Sequence, residues 1–169
     1  GVVCPPNITS DKETGLGNWT DGEILRAMRE GVSRDGRPLF PLMPYGDLRT
    51  LSDEDALSII AFLRTLPAAS YKAPAPKLEF PMSVIVRLIP QPLTGPVQAP
   101  PKTDMAAYGK YLTTTKGCAF CHTTLDAQMQ PIPGREWAGD NEMRGPWGIA
   151  RSANLTPHAT GLGDKTKEN

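Results

Sequence analysis

Apolar side chains recur at helical spacing in three stretches of the chain, and each stretch carries its own start or stop signals. In the first, residues 18–31, Thr20 and Glu23 have the spacing of a capping box, and Gly31 is the type of residue that often ends a helix. The apolar stripe of this stretch consists of Ile24, Leu25 and Met28. This pattern predicts an amphipathic helix.

The second stretch, residues 52–66, has the stronger helical signal. Ser52 and Asp55 are placed to cap its first turn. Further acidic residues in this turn stabilise the helix by interacting with the positive end of its dipole. Pro67 ends the helix. The expected buried face consists of Ala56, Ile59, Ile60, Leu63 and Leu66. The third stretch, residues 104–115, is expected to begin at Asp104 as N-cap. Its apolar positions are Met105, Tyr108, Tyr111 and Leu112.

Between these helices the chain is rich in residues that favour loops. With 18 prolines and 16 glycines, the composition indicates many loops and short helices rather than a large sheet. Residues 37–46 predict an extended loop, because its prolines restrict the backbone, with Met43 at its centre. Residues 68–103 change to proline, alanine and isolated charges, which is typical of a connector that wraps a surface.

The charge balance and hydropathy exclude two classes of partner. Lysine and arginine total 18, as do aspartate and glutamate, so the net charge is zero and nucleic acid is not expected as a partner. No segment has the ~20 consecutive apolar residues that a membrane helix needs. The most apolar run, residues 82–89, is short and contains Arg87.

The segment 116–122, KGCAFCH, has the spacing of a covalent haem attachment site. In such a site Cys118 and Cys121 would form thioethers with the porphyrin, and His122 would bind the iron as proximal ligand. A zinc site would need two further Cys or His ligands at paired spacing, and a dithiol redox motif would follow a strand rather than the helix predicted here. The remaining Cys4 is expected to be a buried small apolar residue.

An internal repeat connects the two ends of the chain. Residues 7–20, NITSDKETGLGNWT, match residues 154–166, NLTPHATGLGDKT, with one deletion. Such a repeat indicates duplicated domains. Because the haem motif precedes its copy of the repeat, the first copy is expected to have its own C-x-x-C-H before residue 1. The sequence is then expected to begin within one domain and to end within the next.

Several motifs together resemble multihaem bacterial c-type cytochromes, and they are similar to the cytochrome c subunits of membrane-associated alcohol, aldehyde and gluconate dehydrogenases. The motifs that carry this resemblance are residues 7–9, 14–20, 26–31, 36–41, 43–45, 61–67 and 109–112, with the haem motif itself.

The resemblance implies an all-α fold of tandem class I cytochrome c domains, each incomplete in this sequence. Residues 1–67 would be the C-terminal part of a first domain, residues 68–103 a connector, and residues 104–169 the N-terminal part of a second domain. Each complete domain would hold one haem c with His and Met as axial ligands. One haem is then attached in this chain, and a second is expected from the missing N-terminal part.

The implied function is electron transfer in a periplasmic respiratory chain, as a carrier rather than an enzyme. Redox partner proteins such as a dehydrogenase subunit or a terminal oxidase are expected. The location would be periplasmic or otherwise extracytoplasmic, with any membrane association made through missing parts or partners. Two alternatives are a haem enzyme or sensor with an open iron site, similar to a dihaem peroxidase, and a structural metal-binding module without haem.

Met43 is the preferred candidate for a sixth iron ligand, because its loop is a poor place for ordinary core and matches the ligand loop of the family. A thioether favours reduced iron and raises the reduction potential. Met28 and Met105 are expected in the core, whereas Met129 and Met143 are less favoured ligand candidates. Met43 would bind either the haem of the preceding domain or, in a permuted arrangement of residues 104–169 and 1–67, the same iron as His122.

Three further expectations concern the surroundings of the haem. The Nδ1 proton of His122 needs an acceptor, and a backbone carbonyl in the loop 130–134 is well placed in sequence to supply it. Arg135 and Arg151 are candidates to pair with haem propionates. His158 falls within the second repeat segment and is expected to be solvated.

Overall fold

The computed structural model describes residues 1–126, 128 and 130–166. They divide into two compact units, Gly1–Thr115 and Lys116–Asn169, and each is described here by itself. Met129, one of the less favoured ligand candidates, lies outside the described residues.

The first unit contains five helices. They are α1 (Asp21–Glu30), α2 (Tyr45–Leu48), α3 (Asp53–Thr65), α4 (Met82–Ile85) and α5 (Met105–Thr115). The three helices that the apolar pattern predicts are confirmed as α1, α3 and α5. The capping box of α1 is also confirmed, because Thr20 Oγ1 accepts from Glu23 N at 3.2 Å and the Glu23 carboxylate accepts from Thr20 N at 2.7 Å.

The same local signals set the other helix ends. Ser52 Oγ accepts from Asp55 N at 3.1 Å, and Asp104 Oδ1 accepts from Ala107 N at 3.0 Å, so both predicted N-caps are confirmed. Gly31 follows α1 with φ 73°, a left-handed conformation that glycine adopts without strain.

The core of the first unit lies between α1, α3 and the middle of α5. Its buried residues are Ile24, Met28, Leu51, Ala56, Ile60 and Tyr111. The prediction for Met28 is confirmed, but the one for Met105 is wrong: as the first residue of α5 it is 76% exposed, and the helix reaches the core a turn and a half later at Tyr111. The buried face of α3 is also narrower than predicted, since only Ala56 and Ile60 are buried.

The connector, residues 68–103, is held against this unit by hydrogen bonds to its backbone carbonyls. Arg49 donates to the carbonyls of Gln91 at 2.9 Å and Pro92 at 3.2 Å, and Asp53 N donates to Val97 O at 2.9 Å. Helix α5, which the sequence division places at the start of residues 104–169, contributes Tyr111 to the core of the first unit.

The described part of the second unit contains one short helix and a β-hairpin. Helix α6 spans Cys118–His122, and strands β1 (Glu142–Gly145) and β2 (Gly148–Arg151) pair antiparallel with Glu142 opposite Arg151. Gly148, with φ 102°, is the first residue of β2 and directly follows the two-residue turn 146–147. The rest of the described part of this unit is turns and loops.

The predicted all-α fold of tandem class I cytochrome c domains is therefore wrong. Only 29% of the structure is helical, and a two-stranded antiparallel sheet is present. The physical reason is the backbone of residues 123–166. Thr123 is extended (φ −105°, ψ 127°) and ends α6, and positive φ angles at Gly134, Trp137, Gly139 and Asp140 turn the chain repeatedly beyond it. Among the described residues, the helices are all too short or too polar to cross a membrane.

Candidate functional site

Helix α6 brings the three residues of the haem motif together. It begins after Gly117, whose left-handed conformation (φ 65°, ψ 24°) separates it from α5. Residues three and four apart lie on one side of a helix, so Cys118 presents its side chain on the same side as Cys121 and His122. All three side chains are half-buried, and both thiols are free. This donor set fits covalent attachment of a porphyrin by two thioethers with an imidazole at the metal.

The orientation of His122 is fixed by a backbone carbonyl. Its Nδ1 lies 2.8 Å from the carbonyl oxygen of Ala153. Because a carbonyl only accepts, Nδ1 carries the proton, and Nε2 keeps the lone pair that a metal needs. The prediction that the loop 130–134 supplies the acceptor is wrong. That loop instead pairs with the chain after α6, with Ile132 N donating to Thr124 O at 3.0 Å.

Gly139 is a functional residue that the sequence reasoning missed. Its N–H donates to the carbonyl of His122 at 2.7 Å. A Cβ at this position would lie 2.5 Å from the Ala153 carbonyl oxygen, the same atom that accepts from His122. With φ 71° as well, the position requires glycine, so Gly139 allows the two chain segments that hold the imidazole to approach each other.

Asn141 was also missed. Its Nδ2 donates to the carbonyls of Cys121 at 2.8 Å and Thr123 at 2.6 Å, so it satisfies carbonyls that the end of α6 would otherwise leave open. Its backbone N–H donates to Ser152 Oγ at 3.0 Å. The run Gly139-Asp140-Asn141 is rich in turn-forming residues, and this composition is the sequence feature that could have indicated a turn here.

The two repeat segments fold into loops of the same conformation. We call residues 7–17 the first loop and residues 154–163 the second loop. In the first, Asn7 Oδ1 accepts from Thr9 N at 2.9 Å, and Asn7 Nδ2 donates to Thr14 Oγ1 at 2.9 Å. In the second, Asn154 Oδ1 accepts from Thr156 N at 2.9 Å, and Asn154 Nδ2 donates to Thr160 Oγ1 at 3.0 Å.

Both loops have a glycine at the same position, where the backbone leaves no room for a side chain. Leu16 N donates to Thr9 O at 2.8 Å, and Leu162 N donates to Thr156 O at 2.8 Å. A Cβ on the preceding glycine would lie 2.4 Å from Thr9 O in the first loop and 2.5 Å from Thr156 O in the second. The second loop begins directly after Ala153, so it positions the carbonyl that holds His122.

In the first unit, Met43 lies in a loop that folds back on the end of α1. Leu39 N donates to the carbonyl of Gly31 at 2.7 Å, and Tyr45 N donates to Met43 O at 2.8 Å. Met43 is half-buried and packs against the core cluster. Tyr45 is buried against Gly31, where a Cβ would meet its ring at 2.7 Å, and burial raises the pKa of its hydroxyl.

The other residues singled out from the sequence lie on the surface or are partly buried. Met143 is on β1 and 42% exposed, and Cys4 is a half-buried free thiol. Arg151 is engaged with two carboxylates, Asp140 at 2.9 Å and Glu142 at 2.7 Å. His158 is exposed, as predicted, but its ring takes part in the second loop.

Arg135 and His158 line one cavity of about 550 Å³ in the second unit. Over residues 1–126, 128 and 130–166, no cluster of three or more His, Cys, Asp or Glu side chains is arranged to hold a metal ion.

Three curated proteins show what the chain is similar to. It is 42% identical over 83 residues to a component of nicotinate dehydrogenase from Pseudomonas putida, a match covering 49% of this chain and 7% of that protein. It is 32% identical over 139 residues to the cytochrome c subunit of alcohol dehydrogenase (quinone) of Gluconobacter oxydans, covering 77% of this chain and 29% of that subunit. It is 32% identical over 165 residues to the fructose dehydrogenase cytochrome subunit of Gluconobacter japonicus, covering 92% of this chain and 33% of that subunit.

No protein-family model matches the chain. The chain spans at most 33% of the length of these three relatives. The match to the fructose dehydrogenase subunit covers 92% of this chain and therefore includes the connector. The resemblance stated from the sequence is confirmed: the chain is homologous to the cytochrome c subunits of bacterial alcohol and fructose dehydrogenases, in keeping with a multihaem c-type cytochrome.

Proposed function

We propose that this chain is part of an electron-transferring c-type cytochrome that carries haem c on Cys118 and Cys121, with Nε2 of His122 on the iron. The observation that carries the proposal is the 2.8 Å contact between His122 Nδ1 and the Ala153 carbonyl. This contact fixes the ring and its tautomer, and it makes the imidazole a better donor to iron. The similarity to cytochrome subunits supports the same assignment.

Bound haem c supplies a one-electron couple, and the chain supplies attachment, orientation and burial. Cys118 and Cys121 hold the group by covalent bonds, so it is not lost when its charge changes. Gly139 donates to the carbonyl of His122 at 2.7 Å, and Asn141 donates to the carbonyl of Cys121 at 2.8 Å. A ligand shell fixed in this way changes little between oxidation states, which favours electron transfer over substrate binding.

Met43 is proposed as the axial ligand of a second haem, whose C-x-x-C-H motif lies outside these 169 residues. The support is the repeated loop. Ala153 precedes Asn154 in the second loop, and Pro6 precedes Asn7 in the first. The Pro6 carbonyl is therefore expected to accept from the proximal histidine of that second haem, as the Ala153 carbonyl accepts from His122.

The proposed cellular role follows from the relatives. We infer that the parent protein receives electrons from a dehydrogenase subunit and passes them to a further redox protein such as a terminal oxidase. It acts as a carrier and not as the catalytic subunit, and it works in the periplasm or elsewhere outside the cytoplasm. Covalent haem attachment by an extracytoplasmic apparatus is consistent with this location.

The test is an absorption spectrum combined with haem staining after denaturation, on protein produced with the periplasmic haem-attachment machinery. The full-length parent protein, in which this iron has its sixth ligand, is expected to give a six-coordinate low-spin reduced spectrum. The 169-residue chain is expected to give covalent stain that is lost in a Cys118→Ala/Cys121→Ala variant. Cys4→Ala is the matched control and should keep both. A high-spin spectrum that shifts with carbon monoxide would indicate an open iron site instead. Absence of a Soret band, or stain that survives the double substitution, would refute the attachment.

A further inference from the structure

One face of helix α1 borders a cavity of about 640 Å³ in the first unit. Gly22, Leu25, Arg26 and Arg29 share this face, because they are three, four and seven positions apart along the helix. Residues 93–96 of the connector line the cavity as well. Sites for small molecules commonly measure about 300–1,000 Å³, so a small organic molecule fits here.

Arg29 is the buried charged residue at this cavity. Its side chain is 2% exposed, and Nη1 donates to Asp53 Oδ1 at 2.6 Å. Its other two nitrogens, Nε and Nη2, are shielded from solvent and have no hydrogen-bond acceptor among the described residues. Buried polar groups are nearly always hydrogen-bonded in folded proteins, since a buried charged donor without an acceptor is destabilising. Arg29 therefore needs an acceptor in addition to Asp53.

Arg26, one turn before Arg29, places a second guanidinium group at the cavity. Its Nη2 donates to the carbonyls of Ser33 at 3.0 Å and Arg34 at 3.3 Å. Both acceptors are uncharged, and the buried Nε of Arg26 has no acceptor among the described residues. The two arginines thus hold three buried nitrogens that still have the capacity to donate a hydrogen bond.

The carboxylates at the cavity are already engaged with donors. Glu30 Oε1 accepts from Leu93 N at 3.2 Å. Asp53 Oδ1 accepts from Arg29 and, at 3.4 Å, from Val97 N. The hydrogen bond from Arg29 lowers the pKa of Asp53, so this carboxylate stays charged. The buried groups that still need a partner are donors, and donors on guanidinium groups favour an anionic ligand.

The connector has room to admit a ligand to the shielded nitrogens. Leu93 and Val97 are attached by their hydrogen bonds to Glu30 and Asp53. Between them, residues 94–96 make no hydrogen bond to the rest of the described chain. A Cβ on Gly95, in the middle of this span, would meet nothing within 4 Å. The span can therefore shift without breaking a hydrogen bond.

We propose that this cavity binds a small monocarboxylate with a short apolar body. The carboxylate accepts from the free N–H groups of Arg26 and Arg29, and its apolar part lies against Leu25, Leu93 and Pro96. The bound ligand connects α1 to the connector, so it stabilises the first unit. The inference is independent of the proposed function, and none of its measurements needs haem.

The experiment measures the binding of butyrate to the chain at constant ionic strength. Butyramide, which has the same size without the charge, and inorganic phosphate are the comparison ligands. Butyrate is expected to raise the midpoint of thermal unfolding in a saturable manner, because it binds the folded state. It is also expected to shift the Nε–H signal of Arg29 in NMR spectra with the same dissociation constant. Butyramide and phosphate are expected to do neither.

Two substitutions test the site and keep the buried pair of Arg29 and Asp53. Arg26→Gln should weaken butyrate binding about tenfold, as expected for the loss of one hydrogen bond to a charged group. Gly22→Leu should weaken it by occupying the cavity, since a Cβ at this position meets nothing within 4 Å. The matched controls are Arg34→Gln, which removes an arginine outside the cavity lining, and Gly22→Ala. Both controls should retain binding.

Three results would overturn the proposal. Equal butyrate responses in Arg26→Gln and Arg34→Gln would show a general salt effect. An equal response of the wild type to butyramide or phosphate would show that the ligand class is wrong. Absence of a saturable shift at Arg29 would show that solvent alone satisfies the two arginines. Failure of the proposed function would be seen separately, as loss of covalent haem stain.

Discussion

Tyr111 on α5 donates its hydroxyl proton to the carboxylate of Asp55 in the first turn of α3. The same hydroxyl oxygen accepts from Ser52 N at 3.0 Å, and both Tyr111 and Ser52 are buried. This contact lowers the pKa of Asp55, and burial together with the Asp55 contact raises the pKa of the tyrosine hydroxyl. Helix α5, which leads to the haem motif, is thus attached to the N-terminus of α3 by a polar contact inside the first unit.

Removing this hydroxyl should destabilise the first unit. Tyr111→Phe leaves the buried N–H of Ser52 without its acceptor, and an unsatisfied buried donor costs about 1–3 kcal/mol. Urea unfolding followed by tryptophan fluorescence measures the effect. Tyr108→Phe is the matched control, because Tyr108 lies one turn earlier, half-buried against the same core, and its hydroxyl is outside the Ser52 contact. Equal losses in both variants would contradict the assignment.

The Asp55 contact also predicts a pH dependence. A carboxyl with a lowered folded pKa stabilises the protein at pH values above its unfolded pKa, about 3.9, and this contribution is lost as the pH falls toward the folded value. The wild type should therefore lose stability on acidification below about pH 4. Tyr111→Phe removes the main cause of the shift, so its unfolding free energy should fall less steeply over the same range. Parallel acid limbs for the two proteins would show that Asp55 is not the group responsible.

The glycines of the repeated loops should respond differently from a glycine in an open position. Gly15→Ala places a Cβ 2.4 Å from the carbonyl oxygen of Thr9, and the required backbone shift should cost about 1–3 kcal/mol. Gly109→Ala on α5 is the contrasting variant, since its Cβ meets nothing within 4 Å, and alanine is the better helix former by about 1 kcal/mol. Thermal unfolding should show a lower midpoint for the first and a higher one for the second. The same sign for both would contradict the loop geometry.

The parts of the structure that were predictable from sequence are those with local signals. The capping box at Thr20 and the cap at Ser52 each act over a few residues, and the structure reproduces them. The haem motif is equally local, and its three residues lie on one short helix. The all-α fold class was taken from the family resemblance, and it failed because residues 123–166 carry positive φ angles and pair as a hairpin between Glu142 and Arg151. Neither feature produces a periodic pattern of apolar residues, so neither could be predicted from the sequence by its periodicity.

The acceptor for His122 was unpredictable for a different reason. It is a backbone carbonyl, at Ala153, and no side-chain type identifies such an atom in a sequence. The Gly139 backbone N–H donates to the His122 carbonyl and the Asn141 side chain donates to the Cys121 carbonyl, and both contacts depend on how the chain turns after Trp137. By contrast, the repeat at Asn7 and Asn154 was visible, because its side chains make the hydrogen bonds.

The last prediction concerns which iron Met43 serves. If Met43 and His122 bound the same haem, one site would have to take up both the first and the second loop, which have the same fold and the same hydrogen bonds. We therefore expect Met43 to serve a haem whose motif lies outside these residues. Met43→Ala should leave the absorption spectrum of the Cys118–Cys121 haem unchanged, including any methionine–iron band of the oxidised form. Met105→Ala, which truncates a 76% exposed methionine on α5, controls for general effects of the substitution. Loss of that band in Met43→Ala alone would show that the permuted arrangement is correct and that the two residues share one iron.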